Sequence, residues 1–185
     1  MEVQLSKRLI SVNEYHVMAE AGILTSEDKV ELIQGEILEM SPIGTKHAAI
    51  VDKLTNLLVK IVSNTAILRV QNPVYINDLN EPEPDISVLK PRRDYYADIH
   101  PGGDDTLLVI EVSDTTYHYD KEVKVPLYGS AGIPEYWILK LDSKEIEVHT
   151  VPAKGGYKKI ELFYPEDLVS LSFCQKEILV SDLIG

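Results

Sequence analysis

The run Leu107-Leu108-Val109-Ile110-Glu111-Val112-Ser113 is apolar on both of its alternating faces. Such a segment fits a central strand covered above and below, so the chain needs a layer on each side of its sheet. The same run carries one charge, Glu111, into that interior. A second run, Ile86-Ser87-Val88-Leu89, opens directly after Asp85, which itself follows Glu81-Pro82-Glu83-Pro84. Desolvating an isolated carboxylate is expensive unless something pairs with it. If the two strands lie side by side, the carboxylates converge and can share a hard divalent cation. Lys124, a short way downstream, adds a positive charge at the same corner. The trio points to metal-dependent phosphodiester hydrolysis.

The rest of the pattern surrounds that centre with regular elements. Ser11, with Glu14 three residues on, has the signature of a capping box and starts a helix running to Glu20, which Gly22 ends. Residues 30–33 and 36–40 flank Gln34-Gly35 as a small hairpin. Over residues 46–63, Ile50, Leu54, Leu57, Leu58 and Ile61 keep the spacing of a core-facing helix. Residues 66–70 and 73–76 are short strand candidates. After the two acidic strands, residues 114–126 begin polar and become helical through about Ala131. Pro126 belongs in a first turn or at a kink, and Gly132 is the stop. Residues 135–141, 145–151 and 157–163 read as strands, joined at Asp142-Ser143 and Gly155-Gly156. Residues 177–184 read as a strand and a short helical turn. This order predicts one mixed α/β (α+β) domain over residues 1–185, with a central mixed sheet flanked by helices and a C-terminal antiparallel meander.

Composition bounds the function. The 185 residues are 44% apolar and 26% charged, ordinary for a soluble protein with a real core. No apolar stretch approaches the roughly 20 residues of a membrane span, and the N-terminus lacks a signal-peptide layout, so the cytoplasm is the expected compartment. The single Cys174 excludes an internal disulfide and a multi-thiolate zinc site, and reads as a small core residue. Thirty acidic residues against 18 basic ones give a formal charge of −12. That charge argues against tight, sequence-independent DNA binding by a monomer, because such binding draws on phosphate neutralisation.

Phosphodiester hydrolysis needs a nucleophilic water, charge relief on the phosphate and stabilisation of the leaving oxygen. Mg²⁺ or Mn²⁺ held by Asp85, Glu111 and a backbone carbonyl such as that of Val112 meets much of that need. A lysine then orients the water and offsets developing charge. Pro84-Asp85, followed by Glu111 and a lysine after a gap, resembles the PD-(D/E)XK nuclease superfamily. Within it the chain is most similar to the Uma-two family, restriction-endonuclease-like proteins common in cyanobacteria and long catalogued as a domain of unknown function. Carrying the resemblance are Glu31-Leu32-Ile33-Gln34-Gly35-Glu36-Ile37, Pro42 with His47, Glu83-Pro84-Asp85-Ile86-Ser87-Val88 and Leu108-Val109-Ile110-Glu111-Val112-Ser113. Asp120 with Lys124 and Tyr128, and Ala131-Gly132-Ile133-Pro134-Glu135-Tyr136-Trp137, complete the ordered set.

The superfamily places its lysine two residues after the glutamate, where this chain has Ser113. The resemblance implies that the lysine has moved to the following helix, at Lys124, with Lys121 one turn earlier as the fallback. It further implies a restriction-endonuclease-like fold, Mg²⁺ or Mn²⁺ chemistry on DNA, and action as a homodimer. Asp85 and Glu111 would be metal ligands, Lys124 the water-orienting cation, and His47 a cleft-facing partner. Two other readings stay open: a nuclease-like scaffold that binds partners without cutting, and a hydrolase of small phosphoesters. Glu36 stands either in the acidic cluster or as a plain hairpin carboxylate. Tyr128, Tyr136 and Trp137 read as core aromatics, and Asp104-Asp105 as a solvated loop.

Overall fold

The computed structural model of the protein describes residues 6–185. Helix α1 (Val12–Glu20) begins at the capping box: the Ser11 hydroxyl accepts from the Glu14 amide at 3.2 Å, and the Glu14 carboxylate accepts from the Ser11 amide at 3.0 Å. Strands β1 (Val30–Ile33) and β2 (Glu36–Glu39) pair antiparallel. Their connection runs through Gln34 and Gly35, both at positive φ, as a two-residue hairpin with the strands' own twist requires. Helix α2 (Thr45–Val62) turns Val51, Leu54, Leu58 and Val62 into the core.

Three strands follow: β3 (Ile67–Val70), β4 (Ile86–Leu89) and β5 (Thr106–Ser113). The chain then becomes helical as α3 (Tyr117–Tyr119), a π-helical turn (Asp120–Lys124) and α4 (Val125–Ser130). Pro126 lies in the first turn of α4. It has no N–H to offer the carbonyl four residues back, and the helix widens into the π turn immediately before it. Strands β6 (Glu135–Lys140), β7 (Glu145–Ala153) and β8 (Gly156–Phe163) come next, then the hairpin β9 (Leu168–Leu171) and β10 (Lys176–Leu179), and last α5 (Val180–Ile184).

Six strands form one sheet in the order β3-β4-β5-β6-β7-β8. β5 and β6 run parallel, and the other neighbours are antiparallel. The sheet is therefore mixed, and β6-β7-β8 is the expected meander. A parallel join needs a crossover, and the helical run from α3 to α4 supplies it. That crossover is what carries Lys124 over the face of β5.

β5 is covered on both sides, as its apolar pattern demands. Leu108, Ile110 and Val112 pack with Leu54, Leu58 and Trp137 on one face. Val109 packs with Val125, Tyr128, Ile133 and Tyr136 on the other, the face that Glu111 shares by alternation. Tyr136 and Trp137 are fully buried, as expected of core aromatics.

Two elements differ from the sequence reading. Residues 73–76 form no strand; they make scattered backbone contacts, among them Val74 N–H to the Pro82 carbonyl and a bridge between Tyr75 and Gly102. Pro73 has no amide to start a ladder. β9 was not legible beforehand, because four residues with alternating burial give too short a pattern. No helix among the described residues is long and apolar enough to cross a membrane.

Candidate active site

The β4–β5 register sets Ile86 against Ile110, so Asp85 and Glu111 meet where the two strands part. The Asp85 amide donates to Glu111 Oε2 at 3.2 Å, and the Val112 amide donates to Asp85 Oδ2 at 2.8 Å. Each acidic residue thus holds the other strand's backbone. Val112 meets Asp85 through its N–H; a carbonyl contact is not among these bonds. His47, in the first turn of α2, brings Nε2 to 2.9 Å from Asp85 Oδ2, and the Gln71 amide reaches Oδ1 at 3.4 Å.

Lys124 stands at the last position of the π turn and is 3% exposed. Its ammonium donates to Glu31 Oε2 at 2.6 Å and to Glu111 Oε1 at 3.4 Å. The Tyr128 hydroxyl donates to the same Glu111 oxygen at 3.1 Å, and Tyr119 donates to Glu31 Oε1 at 3.1 Å. Glu31 also accepts the Glu83 amide at 3.1 Å. Lys121 goes elsewhere: its amine bonds Tyr117 at 2.9 Å and Glu147 at 3.2 Å. The geometry therefore brings Lys124, and not Lys121, to the carboxylates.

Sequence reasoning missed Glu31, Asp120 and the hydroxyls of Tyr119 and Tyr128. Glu31 had a signal, since it is a charge inside the apolar run Val30-Glu31-Leu32-Ile33, the same oddity that marked Glu111. Glu36, its neighbour on the hairpin, is not part of the cluster; it is exposed and pairs with Lys7 at 2.8 Å. Tyr128 is buried as a core aromatic, yet its hydroxyl belongs to the site. Asp120 accepts from Thr116 at 2.8 Å and does not pair with Lys124. Asp104 is exposed, and Asp105 accepts the Gly102 amide at 3.0 Å as a local turn cap. Cys174 is half-buried against the main core.

Asp85, Glu111, Lys124, Glu31 and His47 line a cavity of about 840 Å³, walled on another side by the segment from Leu38 to Gly44. Seven carboxylates face it (Glu31, Glu39, Glu83, Asp85, Glu111, Asp114 and Asp120) against Lys29, Lys124 and His47. Burial pushes the Glu111 carboxyl up to about 8; Lys124 opposes the shift, and Asp85, Asp120 and Glu31 add to it. Burial also works against the Lys124 ammonium, but Glu111 and Glu31 overcome it and hold the amine above its ordinary value. The hydrogen bond to Asp85 raises His47. Burial raises Asp120 and Glu83. The cavity is short of positive charge. An all-oxygen donor set with a crowded carboxyl pushed up in pKa fits a hard divalent cation on Asp85 and Glu111.

Comparison with known proteins bears on the family and the fold. The family model Uma2, described as "Putative restriction endonuclease", matches residues 12–178. Among solved structures, a crystal structure described as a "putative nuclease" from Anabaena variabilis superposes with a TM-score of 0.72. It covers 95% of this chain and 97% of that one at 19% identity, a likeness of fold. No curated protein matches the chain.

Proposed function

The chain belongs to the Uma2 family, and from that membership we propose that it is a Mg²⁺- or Mn²⁺-dependent endonuclease acting on DNA, residues 1–185 working as one domain. Asp85, Glu111 and Lys124 are its centre, with His47 beside them. The observation that carries the reading is the convergence of a buried, doubly paired lysine on a strand carboxylate that is itself locked to Asp85.

Asp85 and Glu111 would hold the divalent cation, joined by a backbone oxygen such as that of Val112. When bound, the ion supplies charge neutralisation at the phosphate and a more acidic water. Lys124 orients the attacking water and offsets the negative charge that grows on the phosphate oxygens as the new P–O bond forms and the bond to the leaving oxygen breaks. Glu31 and Tyr119 are positioning residues, since they hold the lysine in place rather than touch substrate. His47, bonded to Asp85, fixes that carboxylate's orientation. A homodimer belongs to the same proposal, each site cutting one strand. The sheet edge β8, where Ile160 and Leu162 are exposed, is the surface that would carry it.

The test is nicking of supercoiled plasmid and cutting of single-stranded DNA with Mg²⁺ or Mn²⁺, comparing wild type with Asp85→Asn and Lys124→Met. Cleavage that needs the metal and falls by about 10²-fold or more in each variant is the expected result. The formal charge of −12 favours a different substrate or none. Hydrolysis of a small phosphodiester without DNA cutting would move the substrate to a nucleotide-sized ester. No turnover, with metal binding equal in wild type and Asp85→Asn, would leave a non-catalytic scaffold.

A further inference from the structure

A second cluster gathers side chains from three distant stretches of chain, none of which lines the Asp85 cavity: His16 on α1, Glu81 four residues ahead of Asp85, and His100 in the loop before β5. One ligating atom from each lies within 4.8 Å of the other two. His16 Nε2 is 2.7 Å from Glu81 Oε1. The rings of His16 and His100 stand edge to face, centroids 5.9 Å apart.

Glu81 is 3% exposed, and its second oxygen, Oε2, is buried with no hydrogen-bond partner among the described residues. Leaving such an acceptor unsatisfied is unfavourable, the more so for a charged group. A plain His16–Glu81 ion pair leaves that oxygen unexplained and has no use for His100.

The backbone pins all three residues. The Val12 amide bonds the Asp78 carbonyl at 2.7 Å, and the Tyr15 hydroxyl bonds the Val30 carbonyl at 3.1 Å, which fixes α1 against the hairpin and the Glu81 segment. The Glu81 amide donates to the Leu32 carbonyl at 2.8 Å. His100 precedes Pro101, whose carbonyl accepts the Tyr75 amide at 2.9 Å.

We propose that His16, Glu81 and His100 form a metal site separate from Asp85 and Glu111, selective for a borderline divalent transition ion such as Zn²⁺. Two imidazoles and one carboxylate suit Zn²⁺ far better than Mg²⁺, which asks for oxygen ligands. Donors around a tetrahedral Zn²⁺ sit roughly 3.4 Å apart, given metal–ligand lengths near 2.1 Å. Small side-chain rotations bring the three donors to that spacing, and the ion takes the free Glu81 oxygen or displaces His16 from the other. Three protein ligands leave a fourth position for water, and the His16 side chain, 44% exposed, marks the solvent side. The ion ties α1 to the lead-ins of both β4, which Asp85 immediately precedes, and β5, which carries Glu111. This inference does not depend on the nuclease reading.

The full chain, stripped of metal with a chelator, is titrated with Co²⁺ and then Zn²⁺ in excess Mg²⁺, added to compete for any oxygen-only site. The readouts are visible Co²⁺ absorption and the thermal unfolding midpoint. The expected result is one Co²⁺ per chain, displaced by Zn²⁺, with affinity at least tenfold weaker in His16→Ala and in His100→Ala and unchanged in Asp85→Asn. Zn²⁺ should raise the unfolding midpoint of the wild type and not of His16→Ala. Far-UV circular dichroism checks that His16→Ala, altered at a half-exposed position, keeps the fold. No saturable binding by the wild type, or binding that survives both histidine substitutions, overturns the proposal.

Discussion

Lys124 is the residue at which the site's charges meet, and its burial beside Glu31 and Glu111 sets the first prediction. Lys124→Met removes the partner of two buried carboxylates, Glu31 and Glu111. Stripping one member from a buried ion pair costs about 3–5 kcal/mol when the other stays charged. The variant should therefore lose up to about that much stability at pH 8 and regain part of it at pH 5, where Glu111, no longer held down by the lysine, keeps its proton. Urea unfolding in EDTA at the two pH values measures this. Glu111 itself sets a second dependence. Its carboxyl is raised from 4.5 to about 8 in the folded chain, so between those values the native state keeps a proton that the unfolded chain has released. Its contribution is present below about pH 4.5 and lost as pH rises through about 8, an effect on the order of a few kcal/mol. In metal-free protein, Glu111→Gln should flatten the fall in unfolding free energy across that window. An unchanged slope would mean that another group drives it.

At the scale of elements, the position of the crossover helix decides where Lys124 points. α4 lies so close to the start of β8 that a Cβ on Gly129 would stand 2.0 Å from the Gly156 carbonyl oxygen. Backbone on both sides leaves nothing flexible to move. Gly129→Ala should cost about 2–3 kcal/mol by denaturant unfolding, at the upper end of ordinary overpacking, and should slow the proposed DNA cleavage as the helix is pushed off the sheet. A variant as stable as wild type would show that the two elements can separate freely. The elements were legible in unequal degree. The capping box at Ser11, the Gln34-Gly35 turn, the apolar stripe of α2 and the strands β4 to β8 are local patterns, and each formed within a few residues of its expected place. β9 is too short for its four alternating residues to stand out, and residues 73–76 are held partly by a segment as distant as Gly102, which no local window contains. The π turn has a visible cause in Pro126, but its consequence, turning Lys124 toward Glu31 while Lys121 faces Glu147, is a matter of helix phase.

For the whole molecule, a formal charge of −12 and an acid-lined cavity mean that, on the proposed function, nucleic acid would approach the centre only with cations in place. DNA affinity measured by fluorescence anisotropy at fixed ionic strength should rise at least tenfold when Ca²⁺ replaces EDTA, and Asp85→Asn should abolish the gain. Equal binding with and without the cation would place the contact surface away from the cavity. The sequence by itself determined the sheet's centre and marked Asp85 and Glu111, because a charge at an apolar strand is costly wherever the strand ends up, while its likeness to the family pointed to Lys124 and His47. It also carried the family's ordered motifs. Only the tertiary structure decided that Glu31 is the lysine's nearest partner, that Tyr128 reaches Glu111, that Glu36 stays outside, and that His16, Glu81 and His100 meet. Lys124 and Glu31 are 93 residues apart. Local physics can mark a residue as needing a partner, but which partner arrives is set by how hairpin, sheet and crossover pack together.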